Sequence, residues 1–161
     1  LRYLERSLIA KYSVFGAAAA ASVASTAELL MSITNPAAST MAKAKLYEWS
    51  IGPGAAAEDS NYTVSIVRVT AIGTVTTVTA SPVDSGQGAA ITIGSRAQTA
   101  GSNTKGVTLG SWGFNQRGGI RWVAVPGGEL VVPGTFLNGL ALIYTVVQGT
   151  AVNYPQIWFD E

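Results

Sequence analysis

Breaks recur along this chain at intervals too short for long helices to grow between them. Prolines stand at 36, 53, 82, 126, 133 and 155, and 18 glycines interrupt the stretches between. Proline fixes φ and removes a backbone donor, and glycine weakens any regular element it enters, so short extended segments are what the intervening sequence can form. Its vocabulary agrees. Ala27, Leu29, Met31 and Ile33 alternate with Glu28 and Ser32 before Asn35-Pro36, the period-two pattern of a half-buried strand running into a turn. Ala42 to Ile51 alternates lysines with Ala44 and Leu46, then sets Tyr47 and Trp49 around Glu48 and stops at Gly52-Pro53-Gly54. Tyr62 to Thr70 and Thr74 to Thr79 are rich in β-branched residues.

The second half repeats this texture. Ala90 to Ile93, Val107 to Phe114, Ile120 to Val125, Glu129 to Val132, Gly139 to Val147 and Val152 to Phe159 are further β-forming runs between turn residues, which brings the total to about ten short strands. In Leu140 to Val147 both alternating sets are apolar, so this run is expected at the centre of a sheet covered on both faces. No repeat of fixed period is visible, which argues against solenoids and propellers. The expectation is an all-β fold: an antiparallel two-sheet sandwich, with a jelly roll preferred over an immunoglobulin-like arrangement. Of the 48% hydrophobic residues 24 positions are Ala, which bury little area each at ~25 cal/mol per Å², so burial between subunits is expected to supplement the core.

Leu1 to Phe15 differs, with apolar residues at mixed spacing among Arg2, Glu5, Arg6 and Lys11. It reads as an N-terminal arm or short helix over residues 1–15, ahead of a sandwich domain over 16–161. Its bases followed by a small apolar run have the look of a secretory signal, but the uncharged stretch from Tyr12 to Ala27 is short of the ~20 residues of a membrane span. The segment is read as folded protein, with no membrane partner.

Composition removes most chemistries. The chain has no His and no Cys, so a Ser-His-Asp triad, a cysteine nucleophile, a thiolate or imidazole zinc site and a disulfide are all out of reach. Ten basic and nine acidic residues leave a net charge of +1, too weak a bias to argue for nucleic acid. The carboxylates are Glu5, Glu28, Glu48, Glu58, Asp59, Asp84, Glu129, Asp160 and Glu161. A hydrolase built on two of them would need a cleft where they converge, and nothing in their spacing selects a pair. Glu58-Asp59 reads as a solvated turn. Gly52-Pro53-Gly54, Gly118-Gly119 and Gly127-Gly128 lack the Lys-Ser/Thr ending of a phosphate loop and read as turns. Neither a cofactor nor a metal is expected.

Three constellations remain. Trp49, Trp112, Trp122 and Trp158 either fill the interior or, if exposed in a row, form a sugar-stacking platform. Arg117 and Arg121 beside Trp112, Phe114 and Trp122 give a weak single-strand-binding footprint and read as ordinary strand ends. Arg68, alone in an uncharged strand, is placed to pair with Asp84 or Asp59, a pairing that would fix register more than add stability.

Tyr47-Glu48-Trp49 to Gly52, the Glu58-Asp59 turn, Arg68-x-Thr70-x-x-Gly73-Thr74, Pro82-x-Asp84, and Glu129 to Val132 with Asn138-Gly139 together resemble small capsid-associated proteins of tailed bacteriophages. The resemblance spans about Leu29 to Ile143 and rests on texture and short motifs. It implies a decoration or cement subunit: a jelly-roll homotrimer, made in the host cytoplasm, that binds the major capsid protein on the exterior of the virion and carries no catalytic residues. A cement role needs contact surface and adaptable arms more than titrating groups. Tyr3, Leu4, Leu8 and Tyr12 then supply anchors of the arm, and Arg2, Arg6 and Lys11 meet acidic shell surface. The competing expectation is a carbohydrate-binding or tail-associated adhesion module, favoured if the tryptophans line up on the surface.

Overall fold

A computed structural model describes residues 9–16, 19–21, 29–36, 43–54, 57, 59–71, 75–98, 104–146 and 151–161. In chain order the strands are β1 (Lys11–Phe15), β2 (Ala19–Ala21), β3 (Leu29–Thr34), β4 (Lys45–Pro53), β5 (Asn61–Ala71), β6 (Val75–Val78) and β7 (Ser81–Pro82). They continue with β8 (Ile93–Gln98), β9 (Thr104–Asn115), β10 (Ile120–Val123), β11 (Leu130–Val131), β12 (Gly139–Val146) and β13 (Ala151–Asp160). No helix occurs among the described residues.

Two antiparallel sheets result. The first has the order β10-β4-β13-β1-β7, with β11 added on β4 and β2 on β13, and the second has the order β6-β8-β3-β12-β5-β9. They pack as a sandwich, because period-two alternation gives each an apolar inner face. Tyr12, Val14, Leu46, Trp49, Ile51, Ile157 and Phe159 from the first sheet meet Leu30, Met31, Ile33, Tyr62, Val64, Ile66, Leu140 and Leu142 from the second, all buried in one core. β12 lies between β3 and β5, and its other face puts Ala141 and Ile143 with Val67 and Val69 in a second buried cluster. The doubly apolar run therefore sits where its pattern requires.

Two local features fix the geometry. Gly94 on β8 lies where the sheets touch: a Cβ there would stand 2.6 Å from Val14 Cγ1. Pro155 occupies the middle of β13, a place where a missing N–H usually breaks a ladder. Its carbonyl accepts from Gly16 N at 3.1 Å, so the side of Pro155 that lacks a donor faces Gly16, just past the end of β1.

The structure corrects the reading of the N-terminus. Residues 11–15 are not an arm or helix. β1 is an inner strand flanked by β13 and β7, with Tyr12 opposite Phe159 and Val14 opposite Ile157, so the sandwich already includes Lys11. Buried Tyr12 and Val14 alternate with outward Lys11, Ser13 and Phe15, a strand period obscured in the sequence by the Leu8-Ile9 pair ahead of it. The strand expected at Ala90 to Ile93 begins instead at Ile93, and β2 and β7 are additional short strands.

Candidate functional site

The outward face of the first sheet is built by the residues that alternate with its core. Along β13, Asn153, Pro155, Ile157 and Phe159 are buried, which turns Tyr154, Gln156, Trp158 and Asp160 to the other side. Cross-strand register then sets rows across three strands. Lys11 on β1 and Lys45 on β4 flank Asp160, Ser13 and Glu48 flank Trp158, and Phe15 and Ser50 flank Gln156. On β10, Arg121 lies opposite Ser50 and Val123 opposite Glu48. Arg121 Nε donates to Glu48 Oε1 at 2.7 Å.

At one end of this face a cleft of about 400 Å³ is lined by Ile9, Lys11, Lys45, Glu129 and Asp160. Its two acids are tuned apart. Asp160 Oδ1 is buried with no hydrogen-bond donor, and the loss of hydration raises the carboxyl pKa; Lys11 opposes this, Glu129 adds to it, and Lys45 opposes it. Glu129 is instead held below its ordinary range by backbone N–H groups, its own and that of Gly127, which donates at 3.1 Å. Neither lysine forms an ion pair with either acid. Lys11 Nζ lies 5.0 Å from the centre of the Tyr47 ring. Two cationic and two acidic side chains thus share a small cleft without neutralising one another directly.

The residues singled out from sequence fall elsewhere or are divided. Arg2, Tyr3, Leu4, Arg6 and Leu8 lie outside the described residues, as does Glu58. Tyr12 is a core residue, 4% exposed, stacked on Phe159 at 5.5 Å, its hydroxyl donating to Gly88 O at 3.2 Å. Lys11 is kept as a surface residue, but at the cleft. The expected ion pair is not formed. Arg68 faces the inner side at the rim of β5, and its guanidinium crosses to the other sheet to donate to Val131 O at 3.2 Å. Asp84 follows β7 on the opposite side of the sandwich and caps its own turn through Gly86 N at 2.9 Å. Asp59 lies two residues before β5, ~30 Å of extended chain from Arg68, and accepts from Asn115 Nδ2 at 2.6 Å.

The tryptophans do not line up on the surface. Trp49 is fully buried, Trp112 packs edge-on to it at 5.1 Å, and Trp122 lies 6.4 Å from Trp112. Only Trp158 of the four is on the outward sheet face. The same packing turns Trp112, Phe114 and Trp122 inward, away from the outward Arg121, which dissolves the basic-aromatic footprint. Asp160, Glu129, Lys45, Phe15 and Tyr154 were missed as a set. The alternation within Ala151–Asp160 carried the signal for Tyr154, Trp158 and Asp160, whereas the convergence of Lys45 and Glu129 depends on strand register.

No family model matches the chain, nor does any curated protein or solved structure.

Proposed function

We propose that the protein is a structural virion subunit that binds the major capsid protein on the exterior of a bacteriophage shell as a cement or decoration trimer with a jelly-roll sandwich. The observation that carries an assembly role is the β9 edge. Sandwiches protect themselves from edge-to-edge pairing with short or charged edge strands. β6, β7 and β10 have four, two and four residues, but β9 has twelve, of which only Lys105 is charged. Val107 on it is 68% exposed and Leu109 is exposed as well. Among the described residues nothing pairs with the outer side of β9, and although three register shifts interrupt its pairing with β5, so long and little-charged an edge is suited to being covered in an assembly.

The jelly-roll reading is supported by some strand neighbours: the order β3-β12-β5-β9 and the pair β4-β10 fit six of the eight strands of such a winding, whereas β13, β1 and β7 in the first sheet and β6 and β8 in the second lie outside it. The inward packing of Trp49, Trp112 and Trp122 speaks against a tryptophan-row sugar module.

The test is light scattering combined with shell binding. The wild type is expected at the mass of three 16.6 kDa chains, about 50 kDa, and to occupy purified shells. Val107→Lys is expected to keep the fold and lose the trimer or the shell. A monomer that ignores shells, with wild-type and variant indistinguishable, would overturn the reading.

A further inference from the structure

We infer that the outward face of the first sheet is a glycan-binding surface, with the Lys11-Lys45-Glu129-Asp160 cleft closing one end. This goes beyond the assembly role and does not depend on it, since the β9 edge belongs to the other sheet.

The chemistry of the face selects the ligand. Along β13 the outward positions read ring, amide, ring, carboxyl: Tyr154, Gln156, Trp158, Asp160. Phe15 joins them beside Gln156. Phe15 is 58% and Tyr154 45% exposed, and among the described residues the Gln156 side-chain amide makes no hydrogen bond. Alternate residues of a strand stand ~6.8 Å apart, so the row extends ~20 Å, the scale of a short oligosaccharide. Sugar rings offer an apolar C–H face to an aromatic ring, and their hydroxyls both donate and accept, which suits an amide, a carboxylate and an ammonium group alike.

Charge excludes the other classes. Arg121 and Glu48 neutralise each other, and the cleft holds two basic and two acidic residues, so neither a polyanion nor a cation gains from the face as a whole. A protein partner laid flat on it would have to desolvate four charged side chains that lack direct ion-pair partners, at substantial cost. A neutral polyhydroxylated chain satisfies them by hydrogen bonds and leaves the lysine stems and aromatic faces to pack.

The full chain should be titrated with neutral gluco-, manno- and N-acetylglucosamine-based hexasaccharides, with polygalacturonate and heparin as charged controls, following heat and tryptophan fluorescence. At least one neutral hexasaccharide is expected to bind below about 1 mM and to perturb emission. Tyr154→Ala, Trp158→Ala and Gln156→Ala should each weaken it about tenfold or more, with unfolding midpoints showing that the fold is kept, while Thr76→Ala on the other sheet leaves it unchanged. Asp160→Asn, which preserves shape, separates loss of the carboxyl from loss of packing. Absence of binding across the neutral panel, binding confined to the charged polymers, or binding that survives both Tyr154→Ala and Trp158→Ala would overturn the inference. Shell occupancy measured on the same variants is expected to stay at the wild-type level, so failure of this inference and failure of the assembly role give different patterns.

Discussion

Asp160 stores an electrostatic cost in the centre strand of the first sheet. Its carboxyl binds its proton more tightly in the folded chain than in the unfolded one, chiefly because burial strips it of water. An acid with a raised folded pKa contributes stability that is present below its unfolded pKa and lost as pH rises through the folded value. Asp160→Asn cannot ionise and so does not suffer that loss. Its unfolding midpoint is expected to exceed that of the wild type at pH 7 and to converge with it near pH 3, as calorimetry at the two pH values would show. Gly94 makes a second residue-scale case. Gly94→Ala would put a methyl group 2.6 and 2.8 Å from the two γ-carbons of Val14 and 2.8 Å from Val78 O. The expected cost is about 1–3 kcal/mol by denaturant titration. Val14→Ala combined with Gly94→Ala should cost less than the two single changes added together, because the smaller side chain makes room for the new methyl.

β1 shows how an element can be misread while its residues are noticed. Tyr12 stands out in the sequence as an aromatic anchor, and it is one, but the surface it grips is Phe159 in its own sheet. Tyr12→Ala is therefore expected to destabilise the sandwich by about 3–5 kcal/mol, measured by chemical denaturation. In the proposed assembly role, deletion of residues 1–8 is expected to lower shell occupancy; an unchanged occupancy would remove these residues from that role. Strands with long, regular alternation were legible from sequence: β4, β5, β12 and β13 are where the pattern put them, and β12 is covered on both faces as its composition required. The Ala19–Ala21 strand was not legible, since three alanines carry no period. The Arg68 partner was hidden for a different reason. It depends on which strand of the opposite sheet lies across from β5, and that fact resides in the topology. The same holds for the cleft, whose residues come from β1, β4, β13 and the turn before β11.

At the scale of the molecule, β13 ties the first sheet together. It pairs with β1, β2 and β4, and without it those strands have no common neighbour. A chain ending at residue 150 should therefore lack a cooperative thermal transition even though the second sheet's sequence is complete, and circular dichroism with a melting curve would check this. A cooperative melt at the wild-type midpoint would mean that the second sheet carries stability alone. Pairing β1 with β13 across about 140 intervening residues also gives the fold contacts of large sequence separation, so refolding is expected on the millisecond-to-second scale.

The order in which a ribosome delivers these strands gives that pairing a further consequence. β1 emerges well before β13, its neighbour on one side, because everything from residue 16 to residue 150 has to be made between them. At translation speeds of about 5–20 residues per second, the early strands wait several seconds with an apolar face and no centre strand. Completion of the outward face is thus coupled to completion of synthesis through residue 160. An interrupted product cannot present Tyr154, Trp158 and Asp160 beside Lys11, and the cell's proteases meet it as an open chain.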